Sequence, residues 1–313
     1  MRLNYNHIMV LLDVAESGSI NAAAQMRHIA QSAVSRTMRE LELSMRVKLL
    51  ERHARGIELT EAGRALVQLA KSIRAEANAT RRELARLEEG ENTTTLVVGA
   101  HPTLAAFVLP QVISLFSKRT PQCHISVREG MKETLLPALS HGDLDVVVCR
   151  IGNTPVPSDL VEELIYQDTM VIVSGRSHPL AARRRVRPEE LAAGVWVLPP
   201  EDAEPYQDVV EVFQSLGMQI PTPKVQSASV ALIRALLSSE QDWLAVMPRD
   251  LFWTDLKQRR LKVLHELPSA KRRTIGLILR RRAGSTPRRE VGLFCECLKE
   301  VIAVRTDGAP PQG

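Results

Sequence analysis

The sequence predicts two unlike parts, a helical N-terminal portion and an α/β remainder, and three patterns predict them. Up to about residue 60, apolar residues recur at helical spacing between short breaks. Residues 61 to 89 form one long amphipathic run. From residue 95 onward, short apolar runs alternate with amphipathic helices, as in sheets covered by helices. With 313 residues and roughly 100–200 per domain, two or three domains are expected.

The elements follow in order. Ile8, Leu11, Leu12 and Ala15 give a first helix its apolar face, Gly18 and Ser19 break and cap, and Ile20, Ala23 and Ala24 begin a second. A third runs from about Ala30 to Ser44. Its Val34, Met38, Leu41 and Met45 share one narrow arc at about 100° per residue. Ser32, Ser35, Arg36 and Arg39 fall on the opposite side, with Gln31 at the start. ERHARGIELT then reads as a tight hairpin around Gly56. In the long run, Ala62, Leu66, Leu69, Ile73, Ala77, Thr80, Leu84 and Leu87 make one apolar seam. A lone helix cannot bury such a seam on itself, so a partner helix is expected.

The α/β part is read as the strands TLVVGA, HISVREG, LDVVVCR, MVIVSG, VWVLPP, LAVMP and TIGLILR. Between them come the helices TLAAFVLPQVISLFSKR and KETLLPALSHG and others near 207–216, 228–239 and 288–304. Apolar runs without alternation suggest parallel strands covered on both faces. The basic runs KRR at 271–273 and RRRAGSTPRR at 280–289 read as solvated surface, and the end TDGAPPQG as a disordered tail.

Composition narrows the function. Hydrophobic residues are 44% and charged residues 25%, which gives cores and no wholesale disorder. The net charge of +5 suits a polyanionic partner without requiring one. The start MRLNYNHIMVLLDVAES has its apolar run broken by Asp13 and Glu16, so no export signal, no membrane partner and a cytoplasmic location are expected. Cys123, Cys149, Cys295 and Cys297 are too scattered for a disulfide framework, and Cys295 and Cys297 point apart on a helix rather than pairing on a metal. No G-x-S-x-G, phosphate loop, dinucleotide fingerprint or HExxH occurs. No catalytic residue, cofactor or metal is therefore expected.

Two short helices joined by a turn, the second with a polar-basic face, match a helix-turn-helix. Serine hydroxyls and a glutamine amide can read base edges, while arginines hold phosphates or guanine. The DNA-reading candidates are Gln31, Ser32, Ser35, Arg36 and Arg39, with Arg52 and Arg55 of the hairpin as phosphate contacts. The same face also fits a solvated helix, because every amphipathic helix has a polar side.

Residues 3 to 63 resemble the N-terminal domain of the LysR-type transcriptional regulators. The resemblance lies in AESGSINAAA, Gln31, Ala33-Val34-Ser35-Arg36, Leu41-Glu42 and LLERHARGIELTEAG, and HPLA at 178–181 and VMPRD at 246–250 fit that family's effector domain. It implies a winged helix-turn-helix at 1–60, a dimerising linker helix at 61–89, and a two-lobed effector domain at 95–305 like the periplasmic binding proteins. Lobe one would be 95–166 with 268–305, lobe two 167–267, and the tail 306–313. Departures from the family pattern are Arg27 for a leucine, Ala30 for a capping serine, Ser32 for a proline and Arg46 for a glycine.

Small ligands bind at the carboxyl ends of strands in such domains. The effector candidates are His101 and Thr103 after TLVVGA, Arg150 at the end of LDVVVCR, and Ser227 and Ser229 before SVALIRALL. Thr103 and Ser229 could instead only cap helices. The glycine-free segment SSEQDWLAVMPRDLFW is similar to the branch controlling sugar or aromatic-acid uptake and catabolism, with Trp243 read as core. The resemblance thus implies a promoter-DNA-binding regulator switched by a small organic effector. It would activate through RNA polymerase, repress its own gene, and work as a homodimer or dimer of dimers. A cytoplasmic small-molecule-binding protein with degraded DNA binding is the alternative.

Overall fold

A computed structural model of the chain describes residues 4–53, 56–88, 94–152, 155–203, 205–239, 242–266, 273–281 and 288–307. The first part packs α1 (Tyr5–Ser17), α2 (Ile20–Arg27) and α3 (Gln31–Met45) around Leu11, Leu12, Val34 and Leu41, all fully buried. The Ser19 hydroxyl accepts from the Asn21 amide at 3.2 Å and so starts α2, after Gly18 turns the chain at φ 67°. The strands β1 (Leu50–His53) and β2 (Gly56–Leu59) pair antiparallel, Leu50 with Leu59 and His53 with Gly56.

The helix α4 (Glu61–Glu88) uses two faces. Leu66, Val67 and Ala70 close the core of the first part, and Ala75 and Ala79 are also buried. On the seam expected from the sequence, Leu69 is 41% and Leu84 55% exposed. Two apolar stretches on one helix cannot both turn to the same neighbour, which leaves these leucines uncovered within the chain.

The α/β part holds two five-stranded sheets. The first contains β3 (Thr94–Ala100), β4 (Cys123–Glu129), β5 (Val146–Arg150), β6 (Leu160–Asp168) and, from far along the chain, a last strand Arg273–Arg280. The second is built from β7 (Met170–Gly175), β8 (Val195–Leu198), β9 (Val225–Gln226), β10 (Trp243–Pro248) and β11 (Leu261–Glu266). With the last strand as β12, the orders are β4-β3-β5-β12-β6 and β11-β7-β10-β8-β9. The chain passes between them at Thr169, and the successive strands β11 and β12 again lie in different sheets.

Helices cover both sheets: α5 (Pro102–Phe107), α6 (Leu109–Arg119), α7 (Lys132–His141), α8 (Pro188–Ala192), α9 (Tyr206–Ser215), α10 (Val230–Leu237), α11 (Trp253–Lys257) and α12 (Arg289–Asp307). Gly142 ends α7 at φ 84°, and a Cβ there would sit 2.5 Å from the Ala75 carbonyl oxygen. Only glycine lets α7 close onto α4 at this point.

Several expectations change. The sheets are mixed rather than parallel, because β7 runs antiparallel to β10 and β11, and β12 antiparallel to β5 and β6. Burial on both faces produces unbroken apolar runs whichever way neighbours run. The single helix expected over TLAAFVLPQVISLFSKR is two, meeting at Val108 just before Pro110, which has no amide hydrogen to donate. β6 and β11 were not expected as strands, since Glu162, Glu163 and Lys262 interrupt their apolar residues. Thr306 and Asp307, placed in the tail, belong to α12, and the rest of the tail lies outside the described residues.

Candidate DNA-reading face and sensor cleft

The departures at the reading head have physical counterparts. Arg27 forms an ion pair with Asp13 and ties α2 to α1. Ala30 starts α3 without a side-chain cap, and Arg46 ends it in the left-handed region at φ 54°, where glycine is easier. On the helix, Gln31, Ser32, Arg36 and Arg39 are exposed, while Val34, Met38 and Leu41 are buried. The Arg36 side chain is 81% exposed and its Nε donates to Glu40 Oε1 at 2.8 Å. Arg39 Nε donates to the Ser35 carbonyl at 3.3 Å.

Ser35, expected on the exposed side of α3, is turned inward. It is 6% exposed, and its Oγ accepts from Gln31 Nε2 at 3.1 Å. It lies on the buried border of α3, where its hydroxyl holds the Gln31 side chain. Arg52 has its backbone in β1, paired with Ile57, and Arg55 lies outside the described residues.

In the α/β part, the structure brings three of the five effector candidates together. His101, Thr103 and Arg150 line one cavity with Asp168 and Arg273. The space is about 10 Å³, room for about one water. His101 Nδ1 accepts from the Thr103 amide at 3.3 Å and lies 2.7 Å from Thr103 Oγ1, which starts α5. Ser227 and Ser229 do not line this cavity. Ser227 Oγ accepts from the Ser229 amide at 3.0 Å, and Ser229 Oγ caps α10 through the Leu232 amide at 3.4 Å.

Two residues that sequence reasoning missed join the two sheets. Asp208, in the first turn of α9, accepts from Arg150 Nη1 at 2.9 Å and lies 3.5 Å from Arg273 Nε. Arg273 was read as solvated surface within KRR, yet it is 7% exposed. The signal was present, because Arg273 opens an apolar strand as Arg150 closes one. Trp243 is buried, as expected for core.

At the passage between sheets, Asp168 Oδ1 accepts from the Thr169 amide at 2.7 Å and the Asp250 amide at 3.4 Å. Burial and then the Asp250 carboxyl push Asp168 up to about 8, with Arg273 and these amides pulling the other way. Burial raises Asp250 too, although Arg305 and Arg249 face it. Arg305 donates to the Phe107 carbonyl at 2.7 Å and stacks on Phe107 and Trp253 at 5.2 and 5.5 Å, bracing the junction.

The raised Asp168 has a pH consequence. An unfolded aspartate loses its proton near about 4, whereas Asp168 in the folded chain holds its proton up to about 8. Between these values the folded chain binds more protons, so its contribution to stability falls as pH rises. Asp168→Asn keeps the amide-accepting oxygen and removes the titration. Thermal melts from pH 4 to pH 8 are expected to show a smaller alkaline loss in the variant; parallel curves would overturn this.

A helix-turn-helix joined by a long helix to a two-sheet ligand domain defines a DNA-binding regulator with a built-in sensor. Residues 5–64 match the family described as bacterial regulatory helix-turn-helix protein, lysR family, and residues 89–303 match the LysR substrate binding domain. The chain belongs to the LysR family of transcriptional regulators. It is a DNA-binding regulator switched by a small-molecule effector in the C-terminal domain.

It is 28% identical to the uncharacterized HTH-type transcriptional regulator YdcI of Escherichia coli, over 84% of this chain and 85% of that one. It is 25% identical to the HTH-type transcriptional regulator PcaQ of Agrobacterium fabrum, over 98% and 97%. Among solved structures, a full-length OxyR variant from Pseudomonas aeruginosa shares the fold. The TM-score is 0.56 at 21% identity, covering 96% of this chain and 95% of that one. No helix among the described residues is long and apolar enough to cross a membrane, and no cluster of three or more His, Cys, Asp or Glu among them could hold a metal.

Proposed function

We propose that Gln31, Ser32, Arg36 and Arg39 read promoter DNA, and that His101, Thr103 and Arg150 form the effector site. The observation that carries the first part is the Arg36 side chain, 81% exposed on a helix whose opposite stripe is buried. A helix docked by one face leaves the other free to enter the major groove. Residues 1–60 act as the reading head, 61–89 as the dimerising linker and 95–305 as the sensor, with lobes 95–166 plus 268–305 and 167–267. Two α4 helices pairing through Leu69 and Leu84 would set two reading heads on a roughly two-fold symmetric site. Two dimers associate through the sensor domains.

The chain acts in the cytoplasm, without catalysis, as an activator through RNA polymerase and as a repressor of its own gene. Its effector is a sugar or an aromatic acid, and binding shifts the balance between arrangements with a coupling of about 1–3 kcal/mol.

The test is footprinting of the purified protein on DNA from its own upstream region, against scrambled DNA and across salt. A protected, roughly palindromic site with steep salt dependence is the expected result. Equal binding to scrambled DNA overturns the reading and leaves a small-molecule-binding protein. The uncapped Ala30 and strained Arg46 are the structural features that would account for such a loss.

A further inference from the structure

One face of α4, distinct from its apolar seam, carries Gln68, Lys71, Ala75, Asn78, Ala79 and Arg82 at spacings of three and four, which keep them in line along the helix. This face lies on lobe one of the same chain. Lys71 Nζ donates to Asp159 Oδ1 at 2.8 Å, and the two side chains are 20% and 6% exposed. Asn78 Nδ2 donates to the His141 carbonyl at 2.8 Å. Arg82 donates to the Gly142 carbonyl and, at 3.2 Å, to Asp145, while Gln68 reaches Ser158. Between these ties Ala75 is buried against Gly142, whose missing Cβ permits the approach. The head is fastened at the same place. Glu16 of α1 accepts from Arg74 of α4 at 2.7 and 2.9 Å and lies 3.9 Å from His141 Nε2.

We propose that these contacts form a clamp that makes the reading head, α4 and lobe one a single rigid body, so that the regulator switches by lobe two moving against that body. The reach of the contacts carries the argument. From Gln68 to Arg82 they run along about 21 Å of helix. A single tie would let α4 swivel on lobe one. Ties at both ends, with a close backbone approach between them, oppose tilting and sliding alike. Parting Lys71 from Asp159 also leaves a buried carboxylate without the ammonium beside it, which is strongly unfavourable. The cavity between the lobes is lined by His101, Thr103 and Arg150 of lobe one and by Pro248 of lobe two. With lobe one fixed to α4, any opening or closing of that cleft reaches the reading head as a displacement of lobe two. The device is a hinge with one fixed arm, and it does not depend on which molecule the cleft takes.

The experiment uses the full chain carrying Cys123→Ser, since Cys149, Cys295 and Cys297 are buried. Spin labels are placed through Arg81→Cys on α4 and Ser117→Cys on α6 of lobe one, both exposed positions. Labelled chain is diluted in unlabelled chain, so that pulsed electron resonance reads distances within one chain. A single narrow distance peak is expected, unchanged when the protein's own upstream DNA is added. A broad peak, a second peak or a shift on adding DNA overturns the proposal. The clamp is then weakened by Lys71→Met with Asp159→Asn, which removes both charges together, and by Gly142→Ala, whose Cβ would sit 2.5 Å from the Ala75 carbonyl oxygen. The peak should widen about twofold or more in this variant, and an unchanged width overturns the proposal.

Should that variant fail to fold by circular dichroism, Gln68→Ala with Asn78→Ala takes its place, because it removes two ties without exposing a buried charge. A wider peak is again required, and an unchanged one overturns the proposal. Footprinting on the same samples separates this inference from the assignment of the reading face. A narrow peak without a specific footprint removes that assignment alone. A broad peak with a specific footprint removes this inference alone.

Discussion

Asp145→Ala is expected to destabilise the α/β part by about 3–5 kcal/mol, the usual cost of stripping one partner from a buried ionic group. Asp145 is fully buried on the side chain and accepts from the Val97 amide at 2.9 Å. Three arginines surround it: Arg82 of α4 at 3.2 Å, Arg280 at 3.8 Å and Arg288 at 3.9 Å. Removing the carboxylate leaves three positive groups facing one another and orphans a buried amide. Chemical denaturation followed by circular dichroism would read the loss. An unchanged midpoint would show that the arginines are held by their other partners, such as the Leu139 carbonyl that accepts from Arg280 at 3.1 Å. Because Arg82 sits on the linker helix, the variant should also loosen α4 from α7. Faster amide exchange in both would show it.

Arg36→Ala is expected to weaken binding to the protein's own upstream DNA by about tenfold or more while leaving the fold intact. Arg36 pairs with Glu40 one turn along, which His7 approaches at 3.8 Å, so its guanidinium is kept on the exposed face of α3. Its exposure means that removing it disturbs no core. Gel-shift titration against specific and scrambled sequences measures the change. Normal affinity for the specific site would remove Arg36 from the reading face, and an equal loss on both sequences would make it a phosphate contact instead.

The reading head was largely legible in the sequence. Val34, Met38 and Leu41 repeat at helical spacing, and the structure buries all three. The same periodicity misjudged Ser35, because a residue at the border of an apolar arc can turn either way, and its bond with Gln31 decides it. In the α/β part, apolar runs marked the interior strands β3, β5, β7, β10 and β12. They missed β6 and β11, edge strands whose charged residues dilute the apolar signal. His101, Thr103 and Arg150 could be named because each sits where a strand ends. Asp208 could not, since an aspartate in the first turn of a helix looks like an ordinary favourable charge near the helix N-terminus.

By itself, then, the sequence determined the order of the parts, which helix face is buried, and that Arg36 and Arg39 stand free of the core. All of these follow from local spacing, because a helix or strand repeats over a few residues. Only the tertiary structure decided that Asp208 meets Arg150 and Arg273, that Asp145 gathers arginines from α4, β12 and the residue before α12, and that Asp168 is buried beside Asp250. Those groups lie tens of residues apart, and their charges interact strongly only once folding has brought them within a few ångströms and removed the water between them.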